Sequence, residues 1–509
     1  METLKIAISL LTITIFTVAW KILNWLWLNP RKKERFLRKQ GFKGNPYTFR
    51  RLLFGDEKES EKVYEEAFAK PINMHDPIVP RVVPFIHKTL ENYGNKSFMW
   101  AGQRPKVLIM EPELMKTVMV KHSNFVKNFK VTNNIVQDLI TGIIRYESAD
   151  WAKRRGILNP AFQMEKLKQK IPVYQNCCND VVNEWKELAS KDVTVDVLPH
   201  FENLIARIVS ESLFATDFSK DIKLYELIKE NAAMSRQASL IADLPVSKYL
   251  PTERNRKAKK LSGEIRQIIC TLISEREKAI KEGEVSEDNL FNMILGSELA
   301  HGYGDEEIFG LMKGFFFNAH DTIAVLLVWC LILLGKYQDW QEQARQEAFK
   351  VFENRKADYE GLSQLKVLPM ILNEVLRLYP PVVELSRLVE EEMQLGEYTI
   401  PADTQVMLPI IVIHRDPQYW GEDANEFNPH RFSEGVVKAT KGRPIYFPFG
   451  WGPRVCIGQN FAFLSAKLVL VDILRTFSFE ISPTYIHAPH VIFTLQPQFG
   501  APIILRNLN

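Results

Sequence analysis

Cysteine is scarce in this chain: five in 509 residues, at positions 177, 178, 270, 330 and 456. An odd count, with its one adjacent pair poorly placed for a long-range bridge, excludes a disulfide framework and fits a reducing compartment for the main body. Closely spaced ligand sets are lacking as well, which removes iron–sulfur clusters and structural zinc sites. After residue 50 no Pro/Gly/Ser-rich linker, low-complexity tract or internal repeat divides the chain, so one large body is expected, not the roughly three domains that length alone suggests. The formal net charge is only +4, and no basic cluster interleaved with aromatics occurs outside the N-terminal region, so nucleic acid is not an expected partner. A dinucleotide or flavin fingerprint is missing too, because "HGYGDEE" lacks the third glycine and a preceding strand.

What the chain does have begins at its N-terminus. Ile6 to Leu28 is a run of 23 residues with one charge, Lys21. As a helix it would reach ~34 Å, against a hydrocarbon core of ~30 Å. Lys21 can snorkel to the headgroups, and Trp20, Trp25 and Trp27 suit the interface. No small-residue cleavage site ends the run, which favours an anchor over a signal peptide. Residues 1–30 are therefore read as a transmembrane anchor. Arg31, Lys32, Lys33, Arg35, Arg38, Lys39 and Lys43 follow it, and the positive-inside rule leaves the body in the cytoplasm. Residues 31–84, with Asn45-Pro46 and the prolines between Pro71 and Pro84, are expected to form a basic, stiff linker and entry to a body spanning 85–509.

In that body "SFMWAG" and "KVLIM" read as strands, after which helical periodicity takes over. The longest pattern, from about Asp305 to Tyr337, is apolar nearly all round after Gly314 and should run through the middle. The C-terminal third mixes helices with short strands such as "PIILRN". The expected fold class is mainly α with a minor β part.

Chemistry concentrates in "FPFGWGPRVCIG", Phe447 to Gly458. A helix pattern starts directly after it, placing Cys456 at a helix N-terminus, where unpaired N–H groups and the macrodipole favour a thiolate. Gly450, Gly452 and Gly458 allow positive φ and close approach of a flat ligand, while Arg454 offers a fork for a carboxylate. A free cysteine is most often a small buried hydrophobe. The surrounding glycines, proline and arginine shift the reading to ligation, and one cysteine without companions fits a haem with a single axial thiolate. A second feature is "ILNEVLRLYPP", in which Glu374 and Arg377 share a helix face; "FNPHRF" downstream supplies Arg431. These three could form a buried charge triad that holds the cysteine loop.

Together the motifs resemble the cytochrome P450 family. Phe449, Gly452, Arg454, Cys456 and Gly458 match F-x-x-G-x-R-x-C-x-G, Glu374 and Arg377 match E-x-x-R, and "FNPHRF" is similar to the aromatic-Arg region, in the family's order. "WLNPRKKERFLRKQGFKGNPY", "WAKRRGILNPAF" and "HAPHVIFTLQPQFGA" look like the plant clan that includes secologanin synthase and the gibberellin- and brassinosteroid-inactivating hydroxylases. The resemblance implies a single P450 fold and haem b with Cys456 as axial metal ligand. It also implies Trp151 and Arg155 of "WAKRR", Arg387 and Arg454 as partners of the haem propionates. The expected activity is monooxygenation of a lipophilic small molecule, a terpenoid or plant hormone, using O2 and electrons from NADPH through NADPH-cytochrome P450 reductase. The expected place is the endoplasmic reticulum membrane, single-pass, with the catalytic domain facing the cytoplasm.

The sequence departs from the family at the middle of its long helix, "FFFNAHDTIAVLLVW". Asp321 and Thr322 keep the acid and alcohol that guide protons in the family, whereas Asn318, Ala319 and Ile323 replace a small residue, a glycine and a hydroxyl. His320 reads as an outward-facing or satisfied neighbour, not a ligand. The resemblance places the substrate pocket at Phe129 to Leu139, Phe316, Phe317, Asn318, Val382 to Leu385 (Val383 and Glu384 included) and Phe493 to Gln496 (Leu495 included). Two alternatives stay open here: a haem-thiolate enzyme that rearranges or dehydrates its substrate without external electrons, and a haem- or ligand-binding protein without turnover.

Overall fold

The apolar N-terminal run is helical but not uniform. In the computed structural model, which describes residues 2–52, 54–127, 141–216, 218–236, 252–283, 289–296, 305–353 and 355–508, helix α1 (Glu2–Leu23) passes through a π turn (Asn24–Leu28) into α2 (Asn29–Lys39). Leu10, Ile13 and Phe16 on α1 are each at least 60 % exposed, as a lipid-facing helix requires. The hydroxyls of Thr12, Thr14 and Thr17 donate to carbonyls four residues back, so the helix satisfies its own polar groups.

Residues 31–84 lie against the body at several points. Pro30 starts α2, where its missing N–H is not needed. Lys33 then buries its ammonium against the Asp403 carboxylate at 3.0 Å and the Asp403 carbonyl at 2.9 Å. Strand β1 (Lys43–Gly44) pairs in parallel with β2 (Ser97–Ala101), and Arg81 is buried with its Nε donating to the Pro489 carbonyl at 3.0 Å. Unsatisfied buried charge and strand edges are expensive, so the basic stretch is drawn onto the body.

A six-stranded mixed sheet forms one flank: β1 and β2, with β3 (Arg104–Leu108), β4 (Phe125–Val126), β5 (Leu385–Val389) and β6 (Thr404–Leu408), in the order β1-β2-β3-β6-β5-β4. β5 runs antiparallel to β6 with Arg387 opposite Val406. Most of the rest is helical, with one three-stranded and two two-stranded sheets among the described residues. Elements that reach the site are α3 (Ser148–Leu158), α4 (Ile171–Ala189), α5 (Val197–Val209), α6 (Asp305–Lys336), α7 (Val367–Leu378) and α8 (Gln459–Thr476). α6 is the expected central helix: residues 323–334 are all 3 % exposed or less, and it packs most extensively against α5. Long and apolar as it is, its burial in protein marks it as a core helix and not a second span. Near the C-terminus a small hairpin, β7 (Pro489–Val491) and β8 (Leu495–Pro497), touches α6. The five cysteines are free.

Candidate active site

A largely apolar cavity of about 300 Å³ lies between α6 and the loop before α8. Its wall on α6 is Gly314, Phe315, Asn318, Ala319, Thr322, Ile323 and Leu326, the three-and-four spacing of one helix face. The facing wall is the cysteine loop, Phe447 to Gly458, completed by Leu376 on α7 and Pro381, Val382 and Leu385 beyond it.

Local bonds fold the loop. Gly450 N–H donates to Phe447 O at 3.0 Å, Val455 N–H to Gly452 O at 3.1 Å, and Cys456 N–H to Phe449 O at 2.9 Å. Gly450 and Gly452 take φ of 74° and 72°, and a Cβ on Gly452 would stand 3.2 Å from Met119 O, so a side chain there is doubly disfavoured. Gly458 differs from expectation: it is the N-cap of α8 with φ −89°, needing no left-handed conformation, and a Cβ there would reach Cys456 Sγ at 3.9 Å.

Cys456 opens into the cavity while protein walls it in, so water touches it without solvating it fully. Burial pushes its thiol above the usual cysteine value, and the Gly458 amide, Arg155 and Lys127 pull the other way. The helix N-terminus alone therefore does not ionise it; desolvation wins until a cation arrives.

The loop is held from behind. Arg377 donates to Glu374 through Nε and one terminal nitrogen, both at 2.7 Å, and the two side chains are 0 % exposed. The Arg431 Nε lies 3.4 Å from Glu374, and Arg431 also pairs with Asp423 and donates to Trp420 O. Arg377 donates to the carbonyls of His414 at 2.8 Å and Ala424 at 2.6 Å. His414 accepts the Phe447 amide on Nε2 at 2.8 Å, with its pKa pushed down to about 3 by burial and by Arg377, so the ring is neutral. A chain of contacts thus runs from the triad through His414 to the first residue of the loop.

Cations gather at one edge of the cavity. Arg155 donates to Val455 O at 2.9 Å and Asn159 Oδ1 at 2.7 Å. Arg454 pairs with Glu147, donates to Tyr146 O and lies 4.8 Å over the Trp151 ring. Arg387 is buried, its pKa lowered to about 10 by desolvation and then by Arg454. Among the described residues, the buried Nε atoms of Arg387 and Arg454 have no hydrogen-bond partner. Sequence reasoning missed two neighbours. Lys127 lines the cavity with its pKa lowered to about 7 by burial and then by Arg454 and Arg387; His122, 5.1 Å from Trp151, has a buried, unpartnered Nδ1. The spacing of basic residues in "KHSNFVK" was the available signal. Such a concentration of buried donors around one carboxylate, Glu147, fits a multiply anionic group entering the cavity.

The acid and alcohol of α6 part company. Thr322 lines the main cavity, its hydroxyl donating to Asn318 O at 2.8 Å. Asp321 instead faces a second cavity of about 70 Å³ with Tyr225, Lys229, His320, Phe317, Phe493 and Gln496. There it accepts from Thr494 Oγ1 at 2.6 Å, and burial raises its pKa to about 6, partly opposed by that hydrogen bond. His320 is buried and satisfied by Glu202 O at 3.0 Å. Asn318 turns its amide back to Gly314 O at 2.6 Å.

Several pocket residues lie elsewhere. Phe316 is 0 % exposed and turned out of the cavity into the core, stacked on Phe214 at 4.2 Å. Phe317 packs on Phe493 at 5.4 Å in the smaller cavity. Val383 and Leu495 are core residues; Leu495 O accepts from Trp329, and its amide donates to Pro381 O. Glu384 lies outside the cavity lining, its carboxyl raised by burial with Lys106 as the opposing charge. Residues 129–139 fall outside the described residues.

Comparison with known proteins agrees with this geometry. The cytochrome P450 family model matches residues 80–497. Secologanin synthase 1 of Catharanthus roseus is 43 % identical, with 100 % of this chain and 99 % of that relative covered. Cytochrome P450 CYP72A219 of Panax ginseng is 45 % identical with 97 % of each chain covered, and the 7-deoxyloganic acid hydroxylase of Catharanthus roseus 43 % identical with 99 % of each covered. The chain belongs to the cytochrome P450 family, haem-thiolate monooxygenases that act on lipophilic small molecules, within the plant clan of secologanin synthase and related hydroxylases.

Proposed function

We propose that Cys456 supplies the axial thiolate to haem b in the main cavity, and that the substrate is a terpenoid or related plant metabolite oxidised beside Thr322. The observation that carries this is one cavity holding a lone cysteine, an apolar wall and an edge of buried, unpartnered guanidinium nitrogens. Bound there, haem supplies oxygen activation, with electron density pushed onto iron by the thiolate. Arg155, Arg387 and Arg454, with Lys127, His122 and Trp151, hold its propionates, because anionic carboxylates in a dry site demand charged donors. Phe449 and Gly452 shape the cysteine loop that would carry it. Thr322 orients a proton within the cavity, and Asp321 takes protons from the second cavity and passes them across the helix. Apolar Phe315, Ile323, Leu326, Val382 and Leu385 exclude water and favour a hydrophobic substrate. The relatives' names, secologanin synthase and 7-deoxyloganic acid hydroxylase, support the terpenoid class.

Electrons come from NADPH through a membrane-bound reductase. The apolar helix α1 supports anchoring in the endoplasmic reticulum membrane, and the cations of α2 favour a body on the cytoplasmic side. The test is the reduced CO difference spectrum of the full-length protein in microsomes, then NADPH- and O2-dependent product formation with a terpenoid panel. The thiolate-type band with turnover of at least one terpenoid is expected. Haem-loaded protein without that band would refute the assignment of Cys456.

A further inference from the structure

Behind the cavity wall lies a run of oxidisable side chains that the chemistry above leaves unused. Trp329 stands on α6 one turn past cavity-lining Leu326, and Tyr379 caps α7 one turn past cavity-lining Leu376. The backbone of each residue is therefore roughly 4.5 Å along its helix from that of a wall residue. The two rings stack with centroids 4.1 Å apart and planes 18° apart. The Tyr379 hydroxyl is 3.5 Å from His487 Nε2, and the Tyr485 hydroxyl is 2.9 Å from His487 Nδ1. Trp329, Tyr379 and His487 are at most 4 % exposed, whereas Tyr485 is partly exposed. The series runs from the wall to the surface. Core packing explains the stack, but it does not call for two phenols on the two nitrogens of one imidazole.

We propose that Trp329, Tyr379, His487 and Tyr485 form an electron-transfer chain that drains oxidising equivalents from the cavity when oxygen activation is not followed by substrate oxidation. The proposal rests on the monooxygenase reading, since that activity supplies the oxidant. One electron leaves Trp329 for the oxidant, giving an indole cation radical. Tyr379 returns an electron to the indole and passes its phenolic proton to Nε2 of His487. An electron from Tyr485 then reduces the Tyr379 phenoxyl, which recovers its proton from Nε2, while the Tyr485 proton leaves to water. A one-electron reductant from solution, such as ascorbate, restores Tyr485 with a proton from water. The net transfer is one electron from that reductant to the cavity.

Two features give the chain its direction. Burial holds the His487 pKa near 3, so the ring is neutral and one nitrogen is free to accept the phenolic proton. The Arg415 guanidinium lies 5.2 Å over the Tyr379 ring, and among the described residues no cation sits over Tyr485. The pair of Tyr379 radical and protonated His487 carries the positive charge and is disfavoured beside Arg415, whereas the Tyr485 radical, its proton lost to water, is neutral and tolerated.

The test uses the full-length, haem-loaded enzyme in membranes with reductase, NADPH and O2 but no substrate. Freeze-quench EPR is combined with spin trapping and peptide mapping. Wild type is expected to show a tyrosyl signal whose adduct maps to Tyr485. Tyr485→Phe should move the adduct inward to Tyr379 or Trp329 and bleach the haem several-fold faster, with initial product formation on substrate unchanged. Tyr379→Phe, which keeps the stacked ring, should abolish the Tyr485 adduct. Identical adduct positions and bleaching rates in all three proteins, each with the thiolate-type CO band, would overturn the chain and leave the monooxygenase reading standing. Loss of that band in wild type would overturn both.

Discussion

The two walls of the cavity are built to opposite specifications. Behind the cysteine loop, Glu374 and Arg377 are fully buried, each side chain makes several bonds, and the network reaches the loop through His414 and Phe447. Across the cavity, side chains at the middle of α6 make single bonds among the described residues: Asn318 to Gly314 O, Thr322 to Asn318 O, His320 to Glu202 O, and Asp321 from Thr494. A ligand that must never dissociate is backed by redundancy; groups that must pass protons or admit a substrate are held by bonds that single events can break. Rigidity is thus concentrated where coordination needs it.

Breaking the cysteine wall should give the largest effects. Cys456→Ser is expected to abolish product formation and the thiolate-type CO band while the fold survives, because only one solvent-facing atom changes. Next comes Arg377→Ala, which leaves Glu374 buried beside the more weakly placed Arg431. Removing one partner of a buried pair typically costs about 3–5 kcal/mol, a large part of the ~5–15 kcal/mol that holds a domain together. Haem-loaded protein should fall sharply, and urea unfolding should show the lost stability. Arg431→Ala should be milder, since its Nε stands 3.4 Å from Glu374 and its side chain is 12 % exposed. Equal losses in the two variants would contradict the ranking drawn from the geometry.

On the α6 wall the expected effects are kinetic. Asp321→Asn and Thr322→Val should each lower product formation per NADPH by roughly 10²-fold or less, the lower end of general acid–base contributions, with thermal stability and the CO band retained. Because Thr322 faces the main cavity and Asp321 the second one, substrate binding should change only in the Thr322 variant. Substrate-induced spectral titrations check this, and altered binding in Asp321→Asn would place Asp321 in the wrong cavity.

Legibility in the sequence followed the same division. The cysteine loop and the Glu374–Arg377 pair could be read directly, because a positive-φ glycine, a capped helix and an i, i+3 ion pair are local patterns. His414 could not, since its role depends on contacts 33 and 37 residues away. Pocket residues were misread where resemblance replaced periodicity: the face of α6 holding Asn318, Thr322 and Leu326 carries Phe315, and Phe316, about 100° further round, belongs to the core. The same alternation puts Val382 and Leu385 in the wall and Val383 behind it. How residues 31–84 meet the body was not legible, because charge density says nothing about Asp403, 370 positions away from Lys33. Thr494 fell within the expected pocket stretch Phe493 to Gln496, but its bond to Asp321 had no signal; a lone hydroxyl in a hairpin is silent until its partner is known.

That hydroxyl offers the finest test of the α6 wall. Thr494→Val keeps the shape and removes only the donor to Asp321. Burial raises the Asp321 pKa to about 6, with Thr494 and Lys229 opposing and Glu202 adding to the rise. Of the other groups facing it, His320 stays neutral because burial lowers its pKa to about 4, and the Tyr225 hydroxyl is raised far out of range. A hydrogen bond contributes ~1.5–3 kcal/mol to a charged acceptor and ~0.5–1.5 kcal/mol to a neutral one; the difference, against ~1.4 kcal/mol per pKa unit, means its loss should raise the Asp321 pKa further, by roughly one unit. The carboxylate is the form that accepts protons from the second cavity, so the acid limb of the rate profile should move up with it. Product formation should fall several-fold at about pH 6.5 and hardly change at about pH 8.5, with the substrate KM unaltered. A uniform loss at every pH would mean that Thr494 only packs the hairpin against α6, because a packing defect has no reason to follow the titration of one carboxyl group.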